Sequence, residues 1–434
     1  KQARELFLEF LVVGLNHRTA PLEVREKITL NSEQLPSALS NMAAYGMPGV
    51  ILSTCNRSEF YALNHEDASG SSAEWGDGEK RIKEFLVDYF QIQLVDVERY
   101  LYLHRGRDCV SHLFRVASSL DSMMLGEDQI IGQVRDALDT AVRSETVTGS
   151  LFHLFQQALR VGRKVRRESG IGRKAMSVSR ACVELAEGDL GDLSGLSAMV
   201  LGTGDAGGLA AKGLRSSGVS NITVVNRTHR RAVELAKTLS GQAVRLPEMP
   251  EALRQADLVV ACTGSPEYIL GADLVSHVMS SRPDRPMFLI DIAVPRDIDP
   301  AAGLVNNVFL HDVDDLDRVS EARRKENAHE AQEAELLADK ETEGFLQWCA
   351  TQEALPTVVA LRDKAETIRT QELKKTLKKM NPNMSTEDAA ALEAMTQAIV
   401  KKILHGPTVY LKEHRNPSDL RMAREIFDLS AGDC

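Results

Sequence analysis

Ser197-Ala198-Met199-Val200-Leu201-Gly202-Thr203-Gly204-Asp205-Ala206-Gly207 is an apolar run that opens into a GxGxxG turn and continues in a helical pattern to Ser216. In the order strand, turn, helix, the three glycines permit the turn, admit a pyrophosphate and let the helix pack on the strand. A second strand pattern, Asn221–Val225, ends at Asn226-Arg227-Thr228, nineteen residues past Gly207. An NAD-binding unit normally offers Asp or Glu there for the ribose 2′-hydroxyl, an acid that would repel a 2′-phosphate. Here the acid is missing and Arg227 is present, which favours NADPH over NADH as cofactor. Apolar runs at Leu258–Ala261 and 288–290 alternate with helical segments, so this part of the chain reads as a doubly wound, Rossmann-type α/β sheet. Thr263-Gly264 follows the first of these runs, at the C-terminal edge where dinucleotides bind.

N-terminal to this unit the order changes to strand 7–14, helix 33–45, strands 49–54 and 59–63, helix 79–90 and strand 99–104. That βαββαβ order is the split arrangement of a ferredoxin-like α+β sandwich. The tight connection between its middle strands is Ser53-Thr54-Cys55-Asn56-Arg57-Ser58-Glu59, a thiol, an amide, hydroxyls and a guanidinium where an apolar run gives out. Cysteine reacts as thiolate, and a nearby Arg, imidazole or oriented amide lowers its pKa. Cys55 is thus a candidate nucleophile, and Arg57 a forked partner for a small carboxylate. The plainer reading is a small buried cysteine at a strand end with Arg57 and Glu59 solvated. Residues 64–78, rich in Gly, Ser and acids, read as a surface loop.

Helical patterns follow at 108–118, 126–144 and 151–168. His112 lies in the first, either as a satisfied core histidine or as a general acid or base. The connection Leu120-Asp121-Ser122-Met123-Met124-Leu125-Gly126-Glu127-Asp128-Gln129 leads into the second. Gln129 and Gln133 share a face one turn apart, and Glu127 and Asp128 sit where acids favour a helix start. These groups can also surround an ammonium and an ester. Between Arg160 and Lys174 the charge turns basic, with Arg160, Lys164 and Arg167 along one helical stripe. The stripe is either a solvated face or a contact for a phosphate backbone.

After Asp312 a highly charged helix runs from 314 to about 349, of the kind that bridges domains. Three more helical segments follow, at 355–380, 386–404 and 418–429, separated at 381–383 and 405–407. Their apolar positions need partners, which suggests dimerisation. A chain of 434 residues has room for about three domains of roughly 150 residues. We expect them at 1–170 (catalytic), 171–312 (dinucleotide-binding) and 313–434 (spinal helix and all-α dimerisation domain). A net charge of −10 argues against a protein that coats nucleic acid generally. Six scattered cysteines without a CxxC pair or ligand-spaced histidines fit reduced thiols in a cytoplasm and no metal site. No apolar run approaches the ~20 residues of a membrane span, and no signal peptide is visible. The chain begins at Lys1 without Met, which leaves a removed leader open.

Taken together the chain resembles the glutamyl-tRNA reductase family. The likeness rests on Gly14-Leu15-Asn16-His17-Arg18-Thr19-Ala20-Pro21, Ser53 to Arg57, Ser111-His112-Leu113-Phe114-Arg115-Val116-Ala117-Ser118, Gly126 with Glu127 and Gln129, Asn226-Arg227-Thr228, and Asp291-Ile292-Ala293-Val294-Pro295-Arg296-Asp297. The resemblance implies a V-shaped homodimer that reduces glutamyl-tRNA(Glu) with NADPH to glutamate-1-semialdehyde, the first step of tetrapyrrole synthesis. It also implies a cytoplasmic enzyme that meets glutamate-1-semialdehyde aminomutase in a transient complex. It places the nucleophile, and a thioester, at Cys55 and a supporting acid-base role at His112. Glutamyl recognition falls on Thr54, Asn56, Arg57, Ser122, Glu127, Asp128, Gln129 and Gln133. The dinucleotide falls on Gly202, Thr203, Gly204, Asp205, Ala206 and Gly207, with Asn226, Arg227 and Thr228 beyond. Asp128 stands where many members have Pro, and Ser119 where Gly is common. Competing readings are a shikimate-dehydrogenase-like enzyme acting on a free small acid and an NADPH-sensing RNA-binding protein. Both leave Cys55 unexplained.

Overall fold

The computed structural model describes residues 10–63, 77–147, 149–174, 178–316, 327–379, 385–413 and 417–429. The first residues of the expected strand 7–14, most of the loop 64–78, the start of the long charged helix and the break at 381–383 lie outside them. The chain forms two compact units, Phe10–Lys340 and Glu341–Cys434.

The first unit begins with four antiparallel strands: β1 (Phe10–Asn16), β2 (Gly49–Ser53), β3 (Arg57–Leu63) and β4 (Tyr102–Arg105), in the order β2-β3-β1-β4. This is the ferredoxin-like sheet. Every residue of β1 and β3 is buried, which requires cover on both faces. Helices Leu35–Ala44 and Asp77–Phe90 pack on it, as do Gly106–Ala117 and Gln129–Arg143. Registration of β1 on β3 pairs Gly14 with Glu59 and Asn16 with Arg57. A Cβ at Gly14 would stand 2.8 Å from the Ser58 carbonyl and 2.9 Å from Glu59 Cγ, so glycine makes room for the Glu59 side chain.

Six parallel strands follow: β5 (Ser197–Leu201), β6 (Asn221–Val225), β7 (Gln242–Val244), β8 (Leu258–Ala261), β9 (Met287–Asp291) and β10 (Val308–Asp312). Their order, β10-β9-β8-β5-β6-β7, reverses direction between β5 and β8 and opens the crevice where dinucleotides bind in such sheets. Strand periodicity divides the core: Val200, Val224 and Val260 pack on one face, Met199, Val225 and Val259 on the other. Strands β7 and β10 have no counterpart among the sequence-derived runs. Both are edge strands and neither is fully buried.

The helical region differs from expectation in its breaks. One helix, Ala328–Lys379, runs without the interruption expected between 349 and 355. A second, Thr386–Glu413, continues through Pro407, which was expected to end it. Proline inside a helix costs about 3 kcal/mol. Here Leu404 and Leu411, on either side of it, are held in an apolar cluster with Val358, Leu361, Leu420 and Ala423. The cluster offsets the break. Helix Pro417–Ile426 completes the bundle. Met395, Ile399 and Ile403, four residues apart along one face, remain exposed.

Candidate active site

Cys55 lies in the turn between β2 and β3. The Thr54 hydroxyl accepts the backbone N–H groups of Asn56 and Arg57 at 3.1 and 3.2 Å, and the Thr54 N–H donates to the Arg57 carbonyl at 2.8 Å. Arg25, from the short helix Leu22–Arg25, donates through Nη1 to the Cys55 carbonyl at 2.8 Å. The turn is therefore held from both sides.

The opposite wall comes from the 120–128 connection. Helix Gly106–Ala117 ends in a left-handed residue, Ser119 at φ +61°, with the Leu120 N–H on the Arg115 carbonyl and the Ser119 N–H on the Val116 carbonyl. This closure usually takes glycine. Ser119 anchors it by donating from Oγ to the Met124 carbonyl at 3.2 Å. The chain beyond then lines a narrow cavity formed by Thr54, Cys55, Asn56 and Arg57 with Ser122, Met123, Glu127, Gln129, Ile130 and Gln133. Val178, at the start of helix Val178–Leu190, closes one side. Seven of the residues named for glutamyl recognition thus share one cavity with the thiol. Asp128 does not line it: its exposed side chain pairs with Arg166. The Asn56 amide oxygen is buried with no hydrogen-bond partner among the described residues.

Cys55 departs from the sequence-based expectation. Burial and then the Glu127 carboxylate push its thiol up to about 11, against the pull of Arg25 and Arg57. Burial likewise raises Glu127 to about 7, with Arg57 and Arg166 opposing. In the resting site the cysteine is a thiol, beside an acid that titrates near neutrality.

Behind the cavity wall lies a polar core that only the fold reveals. Glu59 is fully buried and receives Arg57 Nη1 at 2.5 Å, Tyr61 and Tyr102 hydroxyls at 2.6 Å each, and pairs with His112 Nε2 at 2.9 Å. Arg57 also reaches Asp121 Oδ2 at 3.3 Å, and Arg18 holds Asp121 Oδ1 at 2.8 Å. Burial alone would raise Glu59, but Arg57, then His112 and Tyr102, hold it well below the usual carboxylate range. His112 packs against His104, with ring centroids 4.8 Å apart and the rings tilted by 31°, and does not line the cavity. It stands behind Arg57, through Glu59.

At the second site, Gly202 takes φ +103°, and a Cβ there would lie 2.6 Å from the Cys262 carbonyl. A Cβ on Gly207 would meet Cys262 Sγ at 2.4 Å, while one on Gly204 would enter open space at the N-terminus of helix Asp205–Ser216. That space suits a pyrophosphate. Thr203, Asp205 and Ala206 complete the turn. Asn226, Arg227 and Thr228 follow β6 on the same edge, with Arg227 and Thr228 exposed. Thr263, after β8, donates its N–H to Asp297 Oδ2 at 2.6 Å.

This fold and these sites define an oxidoreductase with a nicotinamide-dinucleotide domain and a separate thiol-bearing domain. Family models match along the chain: the glutamyl-tRNAGlu reductase N-terminal domain over residues 13–169, shikimate/quinate 5-dehydrogenase over 184–319, and the glutamyl-tRNAGlu reductase dimerisation domain over 333–429. Relatives named glutamyl-tRNA reductase include those of Pelotomaculum thermopropionicum, 41% identical over 96% of this chain and 92% of that protein, and Bacillus subtilis, 38% identical over 97% and 92%. The solved structure of glutamyl-tRNA reductase from Methanopyrus kandleri is 30% identical over 97% of this chain and 99% of that one, with a TM-score of 0.51. The chain belongs to the glutamyl-tRNA reductase family. The dehydrogenase likeness is confined to the dinucleotide domain, so the reading as a shikimate-type enzyme is not favoured. The dimerisation domain marks a homodimer, consistent with the exposed Met395, Ile399 and Ile403 stripe. Among the described residues no helix is long and apolar enough to cross a membrane.

Proposed function

We propose that the chain reduces glutamyl-tRNA(Glu) to glutamate-1-semialdehyde with NADPH, through a thioester on Cys55, as the first step of tetrapyrrole synthesis. The observation that carries this reading is the shared cavity of Cys55, Arg57, Glu127, Gln129 and Gln133. In the substrate the α-carboxyl is esterified to RNA, which leaves an ammonium and a side-chain carboxylate to be recognised. Arg57, oriented by Glu59 and Asp121 and lining the cavity, is the hydrogen-bond donor that takes the carboxylate. Glu127, with Ser122, Gln129 and the unpaired Asn56 oxygen, takes the ammonium.

An ammonium on Glu127 neutralises one of the two causes that raise the thiol, so substrate arrival itself favours the thiolate. The sulfur attacks the ester carbonyl, the bond to the terminal ribose oxygen breaks, and that oxygen leaves with a proton. His112 supports the step through Glu59 and Arg57, keeping the guanidinium in place. Reduced nicotinamide, when bound, supplies the hydride that takes the thioester to the aldehyde level. Gly202, Gly204 and Gly207 would hold its pyrophosphate. Arg227, with Asn226 and Thr228, would face the 2′-phosphate that distinguishes NADPH.

The exposed arginines Arg160, Arg163 and Arg167 on helix Gly149–Glu168 suit the phosphates of the RNA. Five described cysteines are free thiols, which supports a cytoplasmic setting. A labile aldehyde product supports transient contact with glutamate-1-semialdehyde aminomutase. Incubation with glutamyl-tRNA and NADPH tests the assignment: semialdehyde should appear with wild type. With Cys55→Ser it should not, although RNA binding is retained. Turnover of a free hydroxy acid without RNA would count against it.

A further inference from the structure

Arg25 is among the largest fully buried side chains of the molecule, yet it is named in no motif and belongs to neither binding set. Its two terminal nitrogens go to different domains as the family models divide the chain, residues 13–169 and 184–319. Nη1 donates to the Cys55 carbonyl at 2.8 Å, and Nη2 pairs with Asp314, just past the end of β10. Its neighbours carry further polar links across the same boundary. Glu26 accepts the Arg296 backbone N–H at 2.7 Å and its guanidinium at 2.9 and 3.0 Å, and Glu23 lies 3.3 Å from Arg296 Nη1. The short segment that seats the dinucleotide domain therefore also grips the cysteine turn.

We infer that Arg25 is a positioning residue that interlocks the two domains: with Asp314 seated on it, it holds the Cys55 turn at rest, and when Asp314 leaves, its unmatched charge turns to the sulfur. The inference rests on Cys55 being the nucleophile. Three charged groups face the thiol from three elements: Arg25 from helix Leu22–Arg25, Arg57 from β3 and Glu127 from the connection before helix Gln129–Arg143. Arg57 is already matched by Glu59 and Asp121, and Glu127 opposes ionisation. Arg25 is the cation whose counter-charge belongs to the other domain. Releasing Asp314 thus strengthens attraction for a thiolate without moving the cysteine.

The test is the pH dependence of Cys55 alkylation by iodoacetamide on the full chain, without RNA or dinucleotide, read at Cys55 by mass spectrometry. Asp314→Asn, which stands in for the released state, should lower the midpoint and speed alkylation at pH 8 by about threefold or more, the effect of half a pKa unit. Arg25→Met should raise the midpoint, and Arg25→Lys, which keeps the charge without the two-pronged reach, should recover part of the loss. An unchanged or raised midpoint in Asp314→Asn overturns the interlock, and that variant decides alone where Arg25→Met does not fold. Capture of a glutamyl group at Cys55 of the wild type is read separately. Its failure removes the nucleophile and leaves the alkylation comparison standing.

Discussion

Arg57 Nη1 lies 2.5 Å from Glu59 Oε1, with both side chains sealed from solvent, directly behind the cysteine turn. A buried pair broken on one side leaves a stranded charge, which costs about 3–5 kcal/mol. Glu59→Gln should therefore lower unfolding free energy by that order in urea titrations at pH 7. Because the folded carboxyl is held below its ordinary range, its stabilisation is present above about pH 4 and is lost as pH falls toward the folded value. Wild type should lose stability steeply below pH 4, and Glu59→Gln should lose less.

Glu127 has the opposite sign. Its folded pKa is raised from the ordinary 4.5 to about 7, so its protonated form is the one the fold favours. That contribution is whole below about pH 4.5 and disappears as pH rises through 7, a change of about 3 kcal/mol. Wild type should accordingly lose stability between pH 5 and pH 8 while Glu127→Gln stays flatter. The same substitution should raise the KM for glutamyl-tRNA, since it removes the partner assigned to the ammonium.

The glycine turn separates folding from binding. A Cβ at Gly207 falls on Cys262 Sγ and within 2.8 Å of the Gly202 carbonyl, whereas Gly204 faces open space. Gly207→Ala should lower the thermal midpoint of unfolding. Gly204→Ala should leave it unchanged and weaken NADPH binding at least tenfold by calorimetry, because the methyl group occupies the phosphate's approach.

Arg227 is exposed at the end of β6, and no carboxylate follows that strand in the usual place. Arg227→Ser should weaken NADPH by about 1.5–3 kcal/mol, the range of a charge-assisted hydrogen bond, and leave NADH nearly unchanged. Equal losses for both dinucleotides would remove Arg227 from 2′-phosphate recognition.

Ile399 and Ile403 project from helix Thr386–Glu413 without cover. Replacing both with Lys should shift the protein from dimer to monomer by light scattering while leaving far-UV circular dichroism intact.

Much of this architecture is written in local patterns. β5, β6 and β8 stand where continuous apolar runs place them, because a strand buried on both faces needs no alternation. β7 and β10 escape notice because edge strands carry mixed residues, as in Gln242–Val244. Pro407 reads as a stop, and only long-range packing of Leu411 carries the helix past it. The cavity residues are linked by family likeness, since no spacing rule joins residue 57 to residue 127. Only the plainer reading of the 53–59 turn gives Glu59 a place at all, as a solvated strand-end charge. Its partners Tyr102 and His112 are 43 and 53 residues away, so only folding shows it to be the centre of a buried network. Arg25 carries no motif at all. The expected lowering of the Cys55 pKa failed for a related reason: Arg57, two residues on, does pull it down, but burial and then the Glu127 carboxylate, which no local spacing places beside the sulfur, outweigh that pull.

The most direct measurement is mass analysis of Cys55 after incubation with glutamyl-tRNA in the absence of NADPH. The account predicts a glutamyl adduct on that sulfur, with one tRNA released per adduct, and its disappearance as semialdehyde once NADPH is added. An unmodified Cys55 in a preparation that goes on to form semialdehyde at full rate would contradict it.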